Sequence, residues 1–121
     1  MSCSTSTDLR PAQYNVKIWR NDTWSQTFAI LADTTPISLV GATIVIEVKE
    51  AATSTTALLT LSTATNTILI TGTNNNQITL NKKVDIIAGQ FVYDMNVIFP
   101  TGIVKTYIWG TFLVQEDITK A

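Results

Sequence analysis

Three carboxylates invite an acid–base reading. Glu47 and Asp94 each fall in the middle of an alternating segment, on the face opposite its apolar residues, and Glu116 lies near the C-terminus. A pair of carboxylates across a bond is the arrangement by which glycosidases protonate a leaving group and activate a nucleophile. The rest of the catalytic vocabulary is missing. The chain has no histidine, which removes Ser-His-Asp and Cys-His nucleophiles, His-ligated zinc and the commonest general base. One cysteine, Cys3, builds neither a thiolate metal site nor an internal disulfide. No glycine-rich phosphate loop is present. The segment Asn74-Asn75-Asn76, with Asp85 downstream, carries oxygen ligands for a hard cation, but its spacing matches no cation loop and it reads as a polar turn. A solvated strand face is the plainer account of Glu47 and Asp94. The expectation is a protein that is not an enzyme and uses no cofactor or metal.

Three tryptophans offer a different chemistry, since indole rings stack on sugar faces and anchor protein interfaces. Trp19 falls out of phase with Tyr14, Val16 and Ile18, which places it on the outer side of its strand. Trp24 opens the next strand beside the polar turn 20–23, and Trp109 precedes Gly110 in the last one. Core or interface packing is favoured over sugar binding. The sequon Asn21-Asp22-Thr23 stands in a chain whose N-terminus has no basic, apolar-cored signal segment, so it reads as chance.

These residues are carried by strands. The chain has 121 residues, 45% of them hydrophobic and only 14% charged, with net charge −1. Threonine is the commonest residue type, and β-branched residues favour strands. The length suits one domain able to bury a core without staples. A basic footprint for nucleic acid is lacking, and so is any run of about 20 apolar residues that would span a bilayer. Neither nucleic acid nor membrane is expected as a partner.

Residues 1–12 are small and polar and read as a flexible or extended N-terminal arm; residues 13–121 read as one β-sandwich domain. Alternation marks strands at 14–19, 24–32, 42–49, 57–62, 67–71 and 77–80. Asn81 to Gly89 breaks it: Val84, Ile87 and Ala88 are spaced as on one helical turn, with Gly89 as its cap. A long hairpin closes the chain. Phe91, Tyr93, Met95, Val97 and Phe99 form one face of its first strand, 100–102 turn it, and 103–114 return. About eight strands at intervals near ten residues, with one short helical turn near 82–88, predict an all-β, Ig-like antiparallel sandwich. The return strand carries apolar residues on both faces, including Tyr107, Ile108, Trp109 and Phe112, and a strand of that kind is covered on both sides. A second subunit is the expected cover.

The run Asn21-Asp22-Thr23-Trp24 followed by Phe28, the run from Ile37 to Thr43, and the closing hairpin from Gly89-Gln90-Phe91-Val92-Tyr93-Asp94-Met95 to Trp109-Gly110-Thr111-Phe112-Leu113-Val114 and Asp117-Ile118-Thr119 resemble small β-sandwich structural proteins of tailed bacteriophages. The N-terminal domains of phage baseplate upper proteins are the named relatives, and the resemblance spans about residues 15–119. It implies a virion structural protein, a repeated adaptor in the tail, baseplate or fibre-attachment region, made in the host cytoplasm without a signal peptide. Other virion proteins and copies of itself would be its partners. The same fold would serve as a capsid decoration or head-fibre protein, and a carbohydrate-binding adhesion module is the alternative of another class. The contact residues expected on this reading are Leu9, Arg10 and Pro11 of the arm, with Trp24, Tyr107 and Trp109.

Overall fold

The alternation of the middle strands becomes two facing sheets. The computed structural model describes residues 2–4, 12–32 and 35–116. The first strands are β1 (Ser2–Ser4), β2 (Ala12–Gln13), β3 (Val16–Trp19), β4 (Thr23–Trp24), β5 (Thr27–Ala32) and β6 (Thr35–Pro36). The middle ones are β7 (Thr43–Lys49), β8 (Leu59–Ser62), β9 (Ile68–Thr71), β10 (Gln77–Leu80) and β11 (Lys82–Lys83). The hairpin is β12 (Gly89–Ile98) and β13 (Val104–Gln115). One sheet runs β8-β7-β12-β13, with β2 and β3 in turn along the free side of β13; the other runs β9-β10-β5-β1, with β6 also on β5. One core joins them. Phe28, Ile30, Ile68, Ile78 and Leu80 of the second sheet are buried with Ile44, Ile46, Val48, Met95 and Phe112 of the first. The fold is the expected all-β sandwich.

The pairing is antiparallel except at the N-terminal strands. β2 and β3 run parallel to β13, and β1 runs parallel to β5. Of the expected arm, residues 1 and 5–11 lie outside the described residues, while Ser2–Ser4 lies along β5 of its own chain.

The expected helical turn near 82–88 is absent. Lys82 and Lys83 pair antiparallel with Trp24 and Thr23, and Val84 exchanges backbone hydrogen bonds with Asn21 and Asp22 (2.6 and 2.9 Å). Val84 is buried, Ile86 is half-buried and Ile87 is 63% exposed, so burial here follows period two. Three apolar residues at helical spacing fit a helix locally. The turn at Asn21, whose φ is +73°, supplies a strand partner for the same backbone, and that pairing prevails.

The hairpin turns where expected: Gly102 (φ +89°) donates to the Phe99 carbonyl, and Phe99 donates to Ile103. Its register then slips by one residue. Asn96 faces Thr106, but Met95 faces Ile108, so Tyr107 is the extra residue of a β-bulge. Tyr107 and Ile108 are therefore both buried, at 2% and 1% exposure. Much of the apparent two-faced apolarity of β13 is this change of phase, and the cover on Tyr107, Ile108 and Phe112 comes from the chain's own core rather than from another subunit.

Candidate functional site

Beyond the bulge the parity of β13 is reversed. Continuing the register of the hairpin turn would set Ile108 opposite Asp94; the extra residue sets Trp109 there instead. Asp94 in turn faces Glu47 on β7, Glu47 faces Thr60 on β8, and Trp109 faces Gln13 on β2. A single row thus crosses the outer face of the sheet: Gln13, Trp109, Asp94, Glu47, Thr60. Directly opposed residues carry their Cβ atoms about 5 Å apart. The next row holds Thr111, Val92 and Lys49.

Trp109, Asp94 and Glu47 of the first row and Thr111, Val92 and Lys49 of the second line a cleft of about 280 Å³, bounded on one side by Ala52 of the β7–β8 loop. Trp109 is 43% exposed. Lys49 Nζ lies 3.7 Å from Glu47 Oε1, an ion pair with both partners partly exposed. Burial pushes the Asp94 carboxyl above its ordinary range; Lys49 opposes this and Glu47 adds to it. A carboxyl that holds its proton more tightly in the fold than in the unfolded chain makes the fold less stable as pH rises through its folded pKa, and the loss is relieved below the unfolded value. Asp94→Asn is therefore expected to leave stability at pH 7 equal or slightly higher, with the difference from the parent closing as pH falls to about 4. Thermal midpoints measured across that range test it. A variant equally weakened at both ends would mean that Asp94 braces the fold.

The other tryptophans are elsewhere. Trp19 is as exposed as Trp109 but faces Gln115 at the far end of β13. Trp24, expected at a partner surface, is 3% exposed and belongs to the core. Its ring meets Tyr93 edge-on at 5.6 Å and Phe112 at 5.0 Å, and its Nε1 donates to Gln26 Oε1 at 3.1 Å. Tyr107, also expected at that surface, is core for the reason given by the bulge, its ring edge-on to Phe99 at 6.4 Å. Leu9, Arg10 and Pro11 lie outside the described residues. Glu116 is far from the other two carboxylates and sits 3.5 Å from Arg20. Asn76 is buried and its amide donates to the Ile30 carbonyl, while Asn75, at φ +53°, accepts from Leu39, so this loop serves the fold. Among the described residues no group of three or more His, Cys, Asp or Glu is placed to hold a metal ion.

A half-buried polar path holds the face from beneath. Tyr93 donates its hydroxyl to the Tyr14 carbonyl, and Gln26 donates to the Tyr14 hydroxyl. Burial pushes the Tyr93 phenol well above its usual range, so it stays a donor. Gly110 lies directly under this crossing. Tyr14 N donates to the Trp109 carbonyl at 2.8 Å, and Thr111 N donates to Asn15 Oδ1 at 3.1 Å, which presses residues 14 and 15 onto β13.

A second surface lies at the hairpin tip. Ile98 and Val104 face each other across the strands at 39% and 58% exposure, Ile103 beside them is 54% exposed, and Val40 is 62% exposed. Gly41, next to Val40 in the chain, abuts the Pro100 ring of this turn; a Cβ on Gly41 would come within 3.1 Å of it. Neither surface was visible as a unit in the sequence. The cleft depends on a bulge that no residue type announces, and the patch on a contact between segments about 60 residues apart.

No family model matches the chain, and no curated protein does. Among solved structures, CopC from Methylosinus trichosporium OB3b is similar at a TM-score of 0.39 and 12% identity, covering 60% of this chain and 62% of that one, less than two thirds of its length.

Proposed function

We propose that this chain is a structural subunit of a tailed-bacteriophage virion, a repeated adaptor in the tail, baseplate or fibre-attachment region that binds other virion subunits and performs no catalysis. The observation that carries the reading is the gathering of exposed apolar residues at the hairpin tip, Ile98 paired with Val104 and Ile103 at the turn, with Val40 in the segment whose Gly41 abuts that turn. Single exposed apolar residues are ordinary, whereas several gathered at one end of a fold are a common mark of a protein interface. The resemblance of residues 15–119 to phage sandwich proteins supplies the kind of partner, another subunit of the same particle. Low charge is consistent with a surface that neighbours cover. The outer strands β8 and β9 add backbone edges on which a neighbouring strand can pair.

The test is particle composition. Mass spectrometry of virions purified from the host that carries the gene is expected to find the chain at a fixed, multiple copy number. A particle map then separates tail, baseplate and fibre positions from a capsid or head-fibre one. Ile103→Glu with Val104→Glu is expected to keep the thermal midpoint within about 4 °C, since both side chains are largely exposed, and to lower incorporation into particles at least tenfold. Absence of the chain from particles would sink the proposal; full incorporation of the double variant would sink the role of the patch.

A further inference from the structure

The cleft on the outer sheet face has a chemistry that the adaptor role does not use. Its groups are of mixed sign: Asp94 and Glu47 accept hydrogen bonds, while the Lys49 ammonium and the Thr111 hydroxyl donate them. An anion placed there meets two carboxylates, and a cation meets Lys49. A neutral ligand bearing several hydroxyls satisfies both kinds of group without a like-charge contact. At the other end of the row, Trp109 offers a half-exposed indole directly opposite Asp94. An aromatic ring binds best a ligand with one apolar C–H face and polar edges, because it covers the first while its neighbours hydrogen-bond the second. At about 280 Å³ the cleft is at the lower limit of small-molecule sites, near 300 Å³, and suits one ring-sized ligand better than an extended one. It is also held rigidly, by the neighbouring strands and by the Tyr14–Tyr93 contact beneath it. Rigid placement of ligating groups lowers the ordering cost of weak recognition.

We propose that the row Trp109, Asp94, Glu47, with Lys49 and Thr111, is a binding site for a neutral hexopyranose. The sugar's C–H face lies on the Trp109 ring, and its hydroxyls are shared between the carboxylates and Lys49. The site stands independently of the virion assignment, and its failure leaves that assignment untouched.

Titration of the full chain with the methyl pyranosides of glucose, galactose and mannose, followed by heteronuclear NMR, tests it. Saturable shifts are expected for at least one of them, centred on Trp109, Asp94 and Lys49, with a Kd of about 1 mM or tighter. Trp109→Ala and Asp94→Asn should each weaken binding about tenfold or more, while both variants stay folded, with Asp94→Asn melting no lower than the parent at pH 7. Trp19→Ala, which removes the equally exposed indole at the far end of the sheet, should leave the affinity unchanged. Three results would each overturn the proposal. One is no saturable shift with any of the three sugars. Another is binding that survives Trp109→Ala. The third is a cleft that ignores the sugars but binds a short Arg- and Lys-containing peptide with salt-sensitive affinity, which would make it a docking site for a basic side chain over Trp109.

Discussion

Gly110→Ala is expected to destabilise the protein by about 3 kcal/mol or more, the upper range for overpacking a tight site. For a chain of this length that is a fall of about 12 °C in thermal midpoint. The reason is a backbone that cannot step aside. A Cβ at position 110 would lie 2.8 Å from the Tyr14 carbonyl carbon and 2.9 Å from Asn15 Oδ1, and closer still to the Tyr14 oxygen. The Tyr14 oxygen is held by the Tyr93 hydroxyl, and its amide by the Trp109 carbonyl. Relief would require residues 14 and 15 to lift off β13, loosening β2 and β3 on either side. Amide hydrogen exchange should therefore show protection lost first across 12–19, while β7 and β10 keep theirs. A variant that melts with the parent would mean that this crossing detaches at little cost.

Trp24→Ala is the second large effect. It empties the space that Trp24 fills against Tyr93 and Phe112 and removes the indole donor to Gln26. Truncation of a buried tryptophan costs about 3–5 kcal/mol, or about 12–20 °C here. Trp24→Phe keeps a ring in the space and should lose less than half as much. Denaturant unfolding of the three proteins checks the order. Trp24 would also be a misleading residue in any search for sugar contacts, since its loss would abolish binding by unfolding the site. An alanine variant as stable as the parent would contradict its place in the core.

The strands that alternate cleanly were legible because one face of each is buried and the other is not. β7 and β12 follow period two over their whole length, so the outward placement of Glu47 and Asp94 was readable from the sequence alone. Trp24, in step with Phe28 and Ile30, carried its core position in its phase, although its residue type suggested an interface. What failed depended on distant partners. Val84, Ile87 and Ala88 have a helical apolar spacing that only the pairing of 82–84 with the turn at 21–24 overrules. The parallel seat of β2 and β3 joins residues nearly a hundred positions apart, with no local pattern to mark it. Trp109 changed faces because of one inserted residue, and a bulge at Tyr107 leaves no glycine or proline behind as a sign. Glu47, Asp94 and Trp109 could be named beforehand; Lys49, Thr111 and the meeting of these residues in one cleft could not.

The parallel seat of the N-terminal strands has a mechanical meaning. Ala12 lies beside Ile108 and Trp19 beside Gln115, so the start of β2 and the end of β13 point away from each other along the same seam. Tension applied between Ala12 and Gln115 slides the strands lengthwise and loads the whole seam at once, instead of peeling bonds open from one end. Resistance to such a pull is governed by the barrier to unfolding rather than by equilibrium stability. The crossing over Gly110 lies within the stressed segment, which makes this one contact a lock against stretch as well as a point of packing.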